Sequence, residues 1–136
     1  MKNLKYIILT LSLLTTSYHA ELVLIVHKDF PMDKISKKSL KKIYRNKMKK
    51  WKHGGSIVRS FLKKGKTHKV FCKVLKKSPS KLDRFWLKQV FTGKGAAPES
   101  FSNGREMIAF IAENKNALGY VDSSIDTSNV KIISLK

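Results

Sequence analysis

The sequence predicts an α/β domain with a central mixed or largely parallel sheet flanked by helices. Three observations carry this. Leu22 to His27 is a near-continuous β-branched apolar run, as in a strand buried on both faces of a parallel sheet. Several later segments carry apolar residues at helical spacing behind capping residues. Short strand candidates alternate with those helices, which is the element order of a layered α/β structure.

The elements follow in chain order. Pro31 ends the Leu22–His27 run. Ser36 stands as the N-cap of a helix whose apolar stripe is Leu40, Ile43 and Tyr44. Lys47 to Gly55 is a basic loop holding Trp51 and the turn His53-Gly54-Gly55. Ser56 to Phe61 is a short strand candidate, followed by the loop Lys63-Lys64-Gly65-Lys66. A helix from about Thr67 carries Val70, Phe71, Val74 and Leu75. Ser78-Pro79 pairs a cap with a first-turn proline, and the helix it opens has Leu82, Phe85, Trp86 and Val90 as its stripe. Phe91-Thr92-Gly93-Lys94-Gly95 stops that helix and Pro98 closes the turn. Ser102 caps a last helix with Met107, Ile108 and Ile111 facing inward. Leu118 to Val121 and Val130 to Ile133 are the final strands.

Ahead of this domain, Lys2 and Lys5 precede an apolar-to-hydroxyl stretch from Tyr6 to Thr16 and the small residue Ala20. That is the pattern of a secretory signal peptide, with cleavage after Ala20 or after Ser17. The apolar run is too short to be a permanent membrane span. Residues 1–20 are thus expected to be removed, and residues 21–136 to form one exported domain. Cys72 has no second cysteine to pair with, and its helical segment suggests a half-buried thiol. The chain holds 29 Lys+Arg against 9 Asp+Glu, a formal net charge of +20. Such a surface attracts phosphate, anionic lipid, nucleic acid and acidic polymers. Most of the excess is lysine, which solvates well and recognises less specifically than arginine, so a lysine-biased composition gives the same picture.

Enzyme chemistries find little support. Ser60-Phe61-Leu62-Lys63-Lys64-Gly65-Lys66-Thr67 misses a Walker A loop by one residue, Ser60 standing for the first glycine. Its single glycine gives the backbone little freedom to wrap phosphates, and an exported domain meets no ATP. A Gly-Lys-Thr at a helix start still offers free backbone N–H groups, a hydroxyl and an ammonium to an anion; the alternative is that Thr67 is a plain N-cap. His27, His53 and His68 lack metal-ligand spacing and read as surface or loop residues. The nine acids are scattered, with no evident catalytic pair, and no nucleophile elbow occurs. Nucleic acid is disfavoured because Tyr44, Phe71, Phe85, Trp86 and Phe110 fall on or beside helical core stripes rather than on a basic stacking face. The domain is expected to bind rather than catalyse, with no metal and no cofactor.

Four stretches resemble the phosphate-type periplasmic substrate-binding proteins that serve ABC transporters, especially small single-lobe relatives. They are Leu22-Val-Leu-Ile-Val-His27 with Ile35-Ser36 through Leu40-Lys-Lys-Ile-Tyr44; Trp51 before Gly54-Gly55 and Ile57-Val58; Phe85-Trp86 leading to Phe91-Thr92-Gly93-Lys94-Gly95 and Pro98; and Ala117-Leu118-Gly119-Tyr120-Val121. Together they span Leu22 to Asp122. The resemblance implies one lobe of a type 2 periplasmic-binding-protein fold, a periplasmic home and a phosphate-like ligand.

The resemblance also implies a site. Arg59 stands near the family's phosphate-holding arginine, and Gly65-Lys66-Thr67 stands where its Ser-Gly-Thr would. Ser36 and Ser102, heading other helices, are lesser candidates. The family's aspartate for protonated phosphate has no counterpart between Arg59 and Thr67. Implied partners are inorganic phosphate or another oxyanion and an ABC permease or other periplasmic protein; whether a second copy faces the first to rebuild a cleft stays open. The rival reading is an interaction module that docks on an acidic or membrane partner through its lysine face. A third reading is an exported polyanion binder.

Overall fold

The computed structural model describes residues 21–136. The expected signal peptide, residues 1–20, lies outside the described residues. Six strands and four helices follow one another as β1 (Leu22–Val26), β2 (Lys34–Ile35), α1 (Lys37–Tyr44), β3 (Val58–Leu62), α2 (Lys66–Val74), α3 (Pro79–Phe91), β4 (Glu99–Phe101), α4 (Gly104–Glu113), β5 (Ala117–Asp122) and β6 (Lys131–Leu135).

The strands form one mixed sheet in the order β2-β6-β1-β5-β3-β4. β1 runs antiparallel to both neighbours, pairing Ile25 with Gly119 on β5 and with Ile132 on β6. β2 is parallel to β6, and β3 is parallel to both β5 and β4. Five strands therefore point one way and β1 the other. The parallel environment expected for β1 is corrected here. Its apolar run reports burial on both faces, which a central antiparallel strand also has.

Alternation along β5 assigns the helices to faces. At Gly119 a Cβ would meet Ile111 and Met107 of α4, so that face belongs to α4. Tyr120, the next residue, stacks on Phe71 of α2 with ring centroids 3.7 Å apart. Tyr44 of α1 packs against Phe61 and Phe71, so α1 shares the α2 face. The Tyr44 hydroxyl donates to backbone carbonyls of Ser60 and Leu118 at 3.1 and 3.3 Å, pinning α1 across β3 and β5. α3 lies outside this layer, held by Trp86, whose indole N–H donates to the Tyr44 carbonyl at 3.1 Å.

Short elements and boundaries depart from expectation. β2 and β4 are too brief to show a period, and β3 begins two residues later than the strand candidate. Cys72 is fully buried rather than half-buried. Val90, expected inside, is exposed, because Leu82 and Trp86 fill the inward face of α3. Among the described residues no helix is long and apolar enough to cross a membrane.

Candidate anion site at one edge of the sheet

The strand directions gather helix starts. β2, β3 and β4 all end at the same edge of the sheet, and each leads into a helix there: α1, α2 and α4. A helix start leaves its first N–H groups without intrahelical partners and carries a partial positive charge, so such an edge suits an anion. Of the six residues expected to form a site, Ser36, Gly65, Lys66, Thr67 and Ser102 lie along it.

The three starts are not equivalent. At α1 the Ser36 Oγ accepts from the Ser39 N–H at 3.0 Å, and the Lys37 N–H donates to the Lys136 carbonyl at 3.0 Å. At α4 the cap is Asn103, not Ser102: Asn103 Oδ1 accepts from the Glu106 N–H at 3.0 Å. The Glu106 carboxylate reaches back to accept from the Ser102 N–H at 3.2 Å. This reciprocal pair closes the α4 start with a negative charge, which repels an anion. Ser102 is thus not the cap, because Asn103, one residue on, already occupies that role.

α2 differs. Its N-cap is Gly65, at φ 106 and ψ 175, with no side-chain cap. A side chain is strained at that positive φ, which favours glycine. The Lys69 N–H returns to the Gly65 carbonyl at 3.1 Å, so the Lys66, Thr67 and His68 N–H groups precede the intrahelical ladder. The structure thus corrects the reading of Thr67 as a cap: it lies one residue inside the helix and is half-buried, beside exposed Lys66. Lys63 and Lys64 are exposed in the preceding loop. Ser60, which stood for the first Walker glycine, is fully buried within β3 and cannot belong to a phosphate loop. At the same edge Asp122 ends β5, its Oδ1 accepting from the Ser124 N–H at 2.9 Å.

A buried polar chain beneath the first turn of α2 escaped the sequence reading. The Leu62 N–H donates to the Tyr120 hydroxyl at 2.9 Å, and that oxygen lies 2.6 Å from His68 Nδ1. The Tyr120 hydroxyl thus bridges the Leu62 N–H and the His68 ring. Nε2 faces Cys72 Sγ at 3.6 Å. His68 is buried, so its expected surface position is corrected. Burial holds its pKa below the ordinary value, against a weaker pull upward from Asp83. Burial likewise pushes the Cys72 thiol up to about 11. The signal was present in the sequence: His68, Phe71, Cys72 and Leu75 form a helical stripe, with the histidine inside it.

Arg59 is placed elsewhere. It lies at the start of β3, about 10 Å of strand from Leu62 at the edge. Its Nε donates to the Ile43 carbonyl, and its Nη2 donates to Asn46 Oδ1 at 3.2 Å and to the Met48 carbonyl at 3.1 Å. The guanidinium carbon sits 4.9 Å from the Trp86 ring centroid. These acceptors include the end of α1, where helix carbonyls lack partners. The structure does not bring Arg59 and Thr67 together.

Comparison with known proteins agrees with this architecture. A domain model described as a PBP superfamily domain matches residues 17–132. No curated protein sequence matches the chain. Among solved structures, a protein from Clostridium perfringens assigned as a phosphate ABC transporter substrate-binding protein, with bound phosphate, matches with a TM-score of 0.68 and 20% identity over 85% of this chain and 45% of that one. An ABC-type phosphate transport receptor from Vibrio cholerae matches with a TM-score of 0.68 and 16% identity over 85% of this chain and 47% of its own. PstS from Borrelia burgdorferi matches with a TM-score of 0.64 and 14% identity, over 86% and 47%. The chain therefore spans about half the length of the solved structures it matches.

Proposed function

The chain belongs to the PBP superfamily, and on that premise we propose that it is an exported solute-binding lobe for phosphate or a similar oxyanion, linked to ABC-type phosphate uptake or sensing. The observation that supports the reading most is the start of α2, which alone among the described helices has no side-chain cap. An oxyanion there accepts from the free N–H groups of Lys66, Thr67 and His68 and from the Thr67 hydroxyl. The Lys66 ammonium adds a mobile point charge. Gly65 keeps the approach open, since a Cβ built on it would meet nothing within 4 Å. Ser36 and Ser102 lie outside the site proposed: Ser36 is engaged as the cap of α1, and Ser102 precedes the Asn103 cap of α4. Arg59 is assigned a structural role. The edge is solvent-facing, so affinity is modest, because contacts with a half-solvated ion act in a high dielectric.

Calorimetric titration of residues 21–136 with phosphate and then sulfate tests this. One-site saturable heat with wild type, lost in Thr67→Asp, supports it. The aspartate places a negative charge where the ion would sit, yet favours the helix start by about 0.3–1 kcal/mol. Binding falls while stability holds or rises, a pairing that a folding defect cannot produce. Silence with both anions, or binding unchanged in Thr67→Asp, removes the site.

A further inference from the structure

Helix α3 carries an apolar band that the fold does not use. Leu87, Val90 and Phe91 are 59%, 44% and 84% exposed. Their spacing, three and four residues apart, puts them on one side of the helix. Phe91 is the last helical residue before Thr92 and Gly93, so it stands at the tip of the element. The inward side is already filled by Leu82 and Trp86, and the band is therefore separate from the core stripe.

Beside it runs a cationic band. Lys81, Arg84 and Lys88 recur at helical spacing and are all exposed. None of them has an acidic partner among the ion pairs of the described residues. Asp83 is the only acid on α3. The positive character continues past the helix. Desolvation holds the Lys77 pKa below the ordinary lysine value, and the neighbouring charges of Arg45 and then Lys81 lower it further.

We propose that α3 docks the protein on an anionic lipid bilayer, with Leu87, Val90 and Phe91 entering the interface and Lys81, Arg84 and Lys88 facing lipid phosphates. A helix with an apolar band beside a basic one lies in a bilayer surface by that division of labour. A second copy of the chain fits poorly, since a symmetric α3–α3 contact brings the two cationic bands against each other. A soluble polyanion satisfies the lysines and leaves Phe91 in water. This proposal is independent of the oxyanion site, because α2 and its N-terminus take no part in it.

Flotation of residues 21–136 with vesicles of phosphatidylcholine alone, and with phosphatidylglycerol added, tests it. The protein is expected to float with the anionic vesicles and not with the zwitterionic ones. Leu87→Ser/Phe91→Ser and Arg84→Gln/Lys88→Gln should each weaken binding about tenfold or more, at exposed positions where the fold does not depend on the side chain. Unchanged melting curves check that. Binding that ignores the serine pair, equal binding to both vesicle types, or none to either overturns the proposal. So does a dimer in sedimentation that the serine pair disperses.

Discussion

The Arg59 guanidinium takes acceptors from Ile43, Asn46 and Met48 and lies over Trp86, so it joins β3, the end of α1 and α3 at one point. Arg59→Ala leaves Asn46 Oδ1 and the Met48 carbonyl without a donor, while the Ile43 carbonyl keeps the Asn46 N–H, and should cost about 1–3 kcal/mol, read from urea denaturation. Phosphate binding in the folded fraction should be unaffected, opposite to what the sequence resemblance implies. Tyr120 plays the matching part beneath α2. Tyr120→Phe strands both the Leu62 N–H and His68 Nδ1, at a cost of about 1–3 kcal/mol in the same assay. His68 also gives stability a pH dependence. Its folded pKa is lowered by burial from 6.5, so the unfolded chain takes up a proton first as pH falls. Stability should therefore decline as pH drops below about 6.5, until the folded imidazole also titrates. Denaturation midpoints at pH 7.5 and 5.5 check this, and His68→Asn should flatten the difference.

At the scale of elements, capping chemistry separates what was legible from what was not. The Ser78-Pro79 start of α3 and the Ser36 start of α1 were readable because a hydroxyl cap and a first-turn proline are local signals. The α4 start was misplaced by one residue because Ser102 and Asn103 are both capping types in adjacent positions, and only the strand pairing of Phe101 decides which one turns the chain. Asn103→Ala should cost about 1 kcal/mol, and Ser102→Ala much less, by chemical denaturation. The α2 start carried the opposite signal, a Gly-Lys-Thr that looked like a cap but left the helix uncapped. Arg59 was misjudged for a different reason. Its distance in sequence from Thr67 is short, but the intervening residues form a strand, and a strand separates its ends. The partners of a long side chain come from elements that are remote in sequence, and no periodicity records them.

For the whole molecule, charge is the dominant field. Only two lysine–aspartate pairs, Lys115–Asp29 and Lys131–Asp33, offset the cationic excess among the described residues. A surface so one-sided repels itself, and the repulsion is screened by salt. Raising sodium chloride from 50 to 500 mM, which shortens the screening length roughly threefold, should raise the melting temperature by several degrees. A fall would mean that specific pairs outweigh the repulsion. The position of β1 governs a different property. The first strand of the domain lies in the middle of the sheet, and its two neighbours are the last two strands of the chain, about a hundred residues away. A nascent chain emerging from its N-terminus therefore holds a two-sided apolar strand with nothing to pair it until β5 and then β6 arrive. Order of synthesis and order of assembly run against each other, and the sheet closes from its centre only when β5 and β6 have been delivered.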